Sequence, residues 1–149
     1  MWDLTRRSLK LKGGTPVGQS KPYRALVVED DPMQRAMIGL LLEESDFDVI
    51  ACESAEAAEL VLQGSGDDVV LMMTDVELAG HMTGVELAHA AKKYNPDLDV
   101  IVTSGKPLRQ SLPDGATFWS KPWAPLDVIR VAEMKASELA GESGPRRSS

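Results

Sequence analysis

The chain has 149 residues, room for about one domain, and 43% of them are apolar, enough to build a core without disulfides or a structural metal. Sixteen basic against 23 acidic residues give a net charge of −7, which argues against a general nucleic-acid binder. Cys52 is the sole cysteine, which excludes an internal disulfide and a cysteine-rich zinc site and suits a reducing cytoplasm.

Charge is spread unevenly. Residues 1–24 carry six basic side chains and one acidic, a net of +5, whereas residues 25–140 carry a net of −13. Thr5-Arg6-Arg7-Ser8-Leu9-Lys10 resembles the start of a twin-arginine export signal, but it continues into Lys12-Gly13-Gly14-Thr15-Pro16 rather than an apolar segment. The reading is therefore a basic flexible flank over 1–22, one domain over 23–140, and a disordered tail over 141–149. No run approaches the roughly 18 apolar residues of a membrane span.

In chain order, Arg24–Glu29 is a short apolar run and is expected to be a buried strand. Met33–Glu44 has apolar residues at helical spacing. Phe47–Cys52 is strand-like. Ser54 is a good N-cap for a helix expected to end near Gln63, stopped by Gly64. Val69–Thr74 is a second buried run. Thr83–Tyr94 is an amphipathic helix closed by Asn95-Pro96. Leu98–Thr103 and Thr117–Ser120 complete five strands, and Pro125–Leu139 forms a last helix with Pro in its first turn. Continuous apolar strands alternating with helices imply a five-stranded, doubly wound parallel α/β sheet covered by helices on both faces. Ligands in such folds bind beyond the carboxyl ends of the strands.

Those ends carry Glu29-Asp30-Asp31-Pro32, Asp75, Thr103-Ser104-Gly105 and Lys121-Pro122. Singly, each has an ordinary explanation as a cap, a turn or an extended Lys-Pro. Together they gather carboxylates, a hydroxyl and an ammonium group. Crowded carboxylates raise one another's pKa unless a cation joins them. All-oxygen ligands beside a phosphoryl group suit Mg²⁺. A carboxylate so placed can act as a nucleophile toward phosphorus.

This ordered set resembles the receiver domain of two-component response regulators, over about residues 23–140. The resemblance implies a flavodoxin-like fold and a phosphoprotein. Asp75 would accept a phosphoryl group from a histidine kinase or a histidine phosphotransfer protein. It implies Glu29 and Asp30 as the acidic pair for Mg²⁺, with Asp75 and the Glu77 backbone carbonyl completing the metal site. Asp31, one position beyond the pair, is expected to cap the first helix. Ser104 matches the switch hydroxyl rather than its neighbour Thr103, Phe118 the aromatic switch position, and Lys121 the lysine that pairs with the phosphoryl group. Glu77 and Lys106 occupy modulating positions and are read as a lid pair over the site.

The sequence departs from the family in three respects. The loop after Asp75 carries Ala79 where a Pro is usual and is one residue longer. Ser104 and Lys121 are only 17 apart, so the fourth helix is expected to be short, distorted or missing. No effector or DNA-binding segment is visible. The expectation is a cytoplasmic, stand-alone regulator that catalyses nothing beyond its own phosphorylation and dephosphorylation. A haloacid-dehalogenase-type phosphatase uses similar residues, but its nucleophile comes at the first strand. A receiver piece of a hybrid kinase serving as a phosphate sink is the remaining alternative.

Overall fold

In the computed structural model the described residues are 23–143. The basic flank expected over 1–22 and the tail residues 144–149 lie outside them. Five strands form one sheet: β1 (Arg24–Val28), β2 (Asp48–Cys52), β3 (Val69–Asp75), β4 (Asp99–Ser104) and β5 (Ala116–Ser120). Their spatial order is β2-β1-β3-β4-β5 and every neighbouring pair is parallel. The helices are α1 (Pro32–Glu44), α2 (Ala55–Ser65), α3 (Gly84–Tyr94) and α4 (Pro125–Ser143).

The three central strands, β1, β3 and β4, are buried on both faces, so their side chains divide by parity between two cores, while the edge strands β2 and β5 stay partly exposed. Leu26, Val28, Met72, Val100 and Val102 point to the layer of α2 and α3, where Ala55, Ala58, Leu62, Leu87 and Ala91 meet them. Ala25, Val27, Leu71, Met73 and Ile101 point to the layer of α1 and α4, against Ile38, Leu42, Val128 and Ala132. Burying apolar surface at roughly 25 cal/mol per Å² on both faces is what fixes the strand register.

The helix starts follow capping chemistry. Asp31 accepts from the Met33 N–H at 3.2 Å, with Pro32 in the first turn. Ser54 accepts from the Ala57 N–H at 3.1 Å. Thr83 and Glu86 form a reciprocal capping box, which places Thr83 just outside α3 rather than within it.

Three boundaries differ from expectation. Gly64 does not stop α2, which runs to Ser65 and passes into a single 3₁₀ turn, Gly66–Asp68. One glycine costs a helix only about 1 kcal/mol, and the packing of Leu62 outweighs it. The last helix continues past Leu139 to Ser143, so the tail does not begin at residue 141.

No helix forms between β4 and β5. Residues 105–115 are turns and irregular chain. Leu108 and Leu112 nevertheless pack onto the α2–α3 core and cover the part of the sheet where a helix would lie. The segment is held from outside by α3: His89 Nε2 lies 2.9 Å from the Ser111 carbonyl oxygen. Phe118 shares the strand face of Ala116, on this side without a helix, and is half-buried.

Candidate functional site: an acidic cluster at the strand ends

The chain order reverses direction between β1 and β3, and the crevice above that point is where such sheets bind ligands. β1 delivers Glu29 and Asp30 to it, and β3 delivers Asp75. Each of these three offers a carboxylate oxygen, and the three oxygens lie within 4.8 Å of one another. Glu29 is 3% and Asp75 9% exposed, while Asp30 faces solvent. From the end of β5, Lys121 extends its Nζ to 3.1 Å from Asp75 Oδ2 and 4.0 Å from Glu29 Oε1. The peptide bond joining Lys121 to Pro122 is cis.

The backbone around the acidic pair is fixed by α1. Arg35 Nη1 donates to the Glu29 carbonyl at 2.8 Å and lies 3.4 Å from the Asp30 carbonyl. The Asp31 N–H donates to Glu29 Oε2 at 3.1 Å. Burial pushes the Glu29 carboxyl up to about 6; the hydrogen bond from Asp31 opposes this, and the nearby Asp75 charge adds to it.

Three carboxylates therefore crowd together, and one ammonium group contacts two of them, Asp75 and Glu29. The donor set is all oxygen, partly desolvated and short of positive charge. That fits a hard divalent cation such as Mg²⁺ and fits neither zinc nor a soft metal.

Ser104 ends β4 at 2% exposure, and its Oγ accepts from the Lys106 N–H at 3.0 Å. Thr103 is equally buried one residue inside, paired in register with Asp75. Glu77 and Lys106 stand on the two loops flanking the crevice, with Lys106 Nζ 3.0 Å from Glu77 Oε2. The structure thus brings Glu29, Asp30, Asp75, Ser104 and Lys121 to one edge of the sheet, with the Glu77–Lys106 pair on the adjoining loops. Phe118 stays one strand segment back, opposite Val102. Trp119 and Trp123 form a tilted pair, ring centroids 6.3 Å apart, packed on the α1–α4 core below Lys121.

Two contributors escape a reading of strand ends alone. Arg35 is one; its only signal is a cation in the first turns of α1, six residues after Glu29. Gly84 is the other. A Cβ there would collide with the Asp75 carbonyl, so the turn into α3 needs glycine to close against the acidic residue's own backbone. Its signal is a glycine directly after the cap Thr83.

A family model described as the response regulator receiver domain matches residues 25–125. The chain is 36% identical over 122 residues to the two-component response regulator ORR11 of Oryza sativa subsp. indica, covering 77% of this chain and 82% of that protein. Among solved structures, it resembles a CheY-like receiver domain protein from Methanospirillum hungatei JF-1, with a TM-score of 0.71 and 25% identity, over 83% of this chain and all of that one. A receiver protein from Sinorhizobium medicae WSM419 superposes with a TM-score of 0.70 over 78% of this chain and 96% of that one; at 18% identity it speaks for the fold alone. The strand order, the acidic crevice at its switch point and the family match agree: the chain belongs to the response regulator receiver domain family.

Proposed function

We propose that this receiver accepts a phosphoryl group on Asp75, in the presence of Mg²⁺, from the phosphohistidine of a histidine kinase or histidine phosphotransfer protein. The observation that carries this reading is the Lys121–Asp75 contact of 3.1 Å inside the Glu29–Asp30–Asp75 cluster. Receiver domains bind Mg²⁺ at an acidic pocket of this kind, and the family implies such kinases as partners. Here Glu29, Asp30, Asp75 and the Glu77 carbonyl would hold the ion, which supplies positive charge to phosphoryl oxygens when bound.

The chain's own residues account for the rest. An Asp75 carboxylate oxygen attacks phosphorus, the P–N bond to the donor imidazole breaks, and its electron pair stays on the leaving nitrogen. Lys121, already beside Asp75, neutralises oxygens of the transferred group. Ser104 turns its hydroxyl from the Lys106 N–H toward those oxygens, so the loop it was bonded to is released. Phe118, on the face without a helix, shifts with that loop. The output is a phosphorylation-dependent protein contact, and the only reactions catalysed are the receiver's own phosphorylation and dephosphorylation.

The match over 82% of the rice regulator's length supports the receiver as the greater part of a regulator of that size. The family match leaves the phosphatase alternative without support. Among the described residues no helix is long and apolar enough to cross a membrane.

The test is intact mass after incubation with Mg²⁺ and acetyl phosphate. One phosphoryl group should be gained by the wild type and none by Asp75→Asn. No gain in the wild type, with no beryllofluoride binding, overturns the reading.

A further inference from the structure

The loop from Val76 to Thr83 follows the phosphoacceptor directly and carries Glu77. It is one residue longer than the family pattern and has Ala79 where that pattern has the rigidifying proline. Longer loops without proline retain more conformational freedom. Yet this loop is tied at both ends and at its tip. Val76 donates to the Thr103 carbonyl at 2.9 Å, and Gly84 donates to the Val76 carbonyl at 2.8 Å. At the tip, Ala79 bridges to Ser54. The adjacent N–H groups of His81 and Met82 both donate to one oxygen, Glu56 Oε2, each at 3.0 Å.

Glu56 stands in the first turn of α2, on an element that contributes nothing else to the site. Its second oxygen, Oε1, is shut off from solvent. It lies 2.7 Å from where a Cβ at residue 80 would be, and Gly80 has a φ of +96°. The loop therefore uses a glycine to admit the carboxylate, and the carboxylate gathers two consecutive backbone donors that the turn leaves without strand or helix partners. Charge-assisted bonds of this kind are roughly twice as strong as neutral ones.

We propose that Glu56 is a positioning residue for the phosphoacceptor loop: by holding His81 and Met82 from α2, it fixes the Glu77 backbone where a cation beside Asp75 needs it, in place of the missing proline. The proposal rests on the Mg²⁺-dependent reading of Asp75 for its consequence, while the tether itself can be read without metal.

The experiment compares the wild type with Glu56→Ala and Glu56→Gln. Amide hydrogen exchange is followed in metal-free protein, and MgCl₂ is titrated calorimetrically. In Glu56→Ala the His81 and Met82 amides should exchange at least about tenfold faster, while the β1 and β3 amides keep their protection. The Mg²⁺ dissociation constant should rise by roughly tenfold, the usual cost of losing an outer support. Glu56→Gln keeps one carbonyl acceptor for the two donors and should restore most of both effects, which simple loss of helix packing would not do.

Unchanged exchange at His81 and Met82, or faster exchange with wild-type Mg²⁺ affinity, overturns the proposal. Should Glu56→Ala fail to fold, Glu56→Asp keeps the charge but draws the carboxylate back from the two amides, and must show the same paired effects. A wild type that binds no Mg²⁺ and gains no phosphoryl group overturns the function reading instead, and the exchange data then decide the tether alone.

Discussion

Lys106 and Glu77 form an ion pair of 3.0 Å between the loop after β4 and the loop after β3. Their side chains remain 73% and 57% exposed, so the pair contributes little to folding, at most about 1 kcal/mol. Its position beside the Asp75 crevice leads us to propose another use, as a lid that would partly close the approach of water to a phosphoryl group on Asp75. Lys106→Ala should speed loss of that group by about two- to fivefold, the factor that corresponds to an exposed pair. Glu77→Ala should do the same, and the double variant no more than either, since one contact is removed in all three. Autodephosphorylation followed by intact mass checks this, and equal rates in wild type and Lys106→Ala would sink the lid.

The raised Glu29 carboxyl makes a prediction for the metal-free protein. Its folded value is about 6, above the ordinary 4.5. The folded state therefore binds the proton more tightly than the unfolded chain. The associated stability is fully present below about pH 4.5 and is lost as pH rises through about 6. In EDTA, Glu29 alone should remove roughly 2 kcal/mol between those limits, against whatever the other groups contribute. Glu29→Gln should flatten that loss, raise metal-free stability at neutral pH by about 1–2 kcal/mol, and weaken Mg²⁺ binding. Urea unfolding at several pH values, with and without Mg²⁺, measures all three.

Gly84 should tolerate no side chain. Gly84→Ala drives a Cβ into the Asp75 carbonyl, and backbone rather than a flexible side chain must give way. A loss of about 3 kcal/mol is expected, with weakened Mg²⁺ binding even where the protein still folds. Gly64→Ala is the control: it stands in the last turn of α2 with nothing near its Cβ, so stability should rise by about 0.4–1 kcal/mol.

Leu112 stands in for part of a helix. It is half-buried against the α2–α3 core from an irregular segment. Leu112→Ala should cost about 1–2 kcal/mol, below the range for fully buried leucines. If chemical unfolding shows no change, the segment is not covering the sheet as described.

Much of the sheet was legible because parallel strands buried on both faces are written as continuous apolar runs, as Ala25–Val28 and Val69–Met73 show. The capping roles of Asp31 and Ser54 were legible because capping is a local hydrogen bond. The segment after Ser104 was legible from its length only as a fourth helix that is short, distorted or missing, without a choice among the three. Its replacement by Leu108 and Leu112 was not, since packing of an irregular chain has no period to read. The candidate site was visible only as a set of strand ends. The roles of Arg35 and Glu56 depend on contacts between elements: Arg35 reaches back over its own helix start, and Glu56 is 25 residues from the His81 amide it accepts. The run from Leu139 to Ser143 was not legible, since a Gly- and Ser-rich stretch carries no apolar period to mark it as helix.

The chain between Gly105 and Gly115 has a mechanical consequence. A helix at that place would have to slide or unwind as a unit, and each broken rung of its ladder would resist. Here the stretch is anchored instead by separate fastenings: the Ser104 hydroxyl at one end, two leucines in the middle, and a histidine on α3 near Ser111. Released one at a time, such fastenings yield by small steps. The side of the receiver beside Phe118 is thus held by contacts that can be changed separately, without a helical ladder that would move as one body.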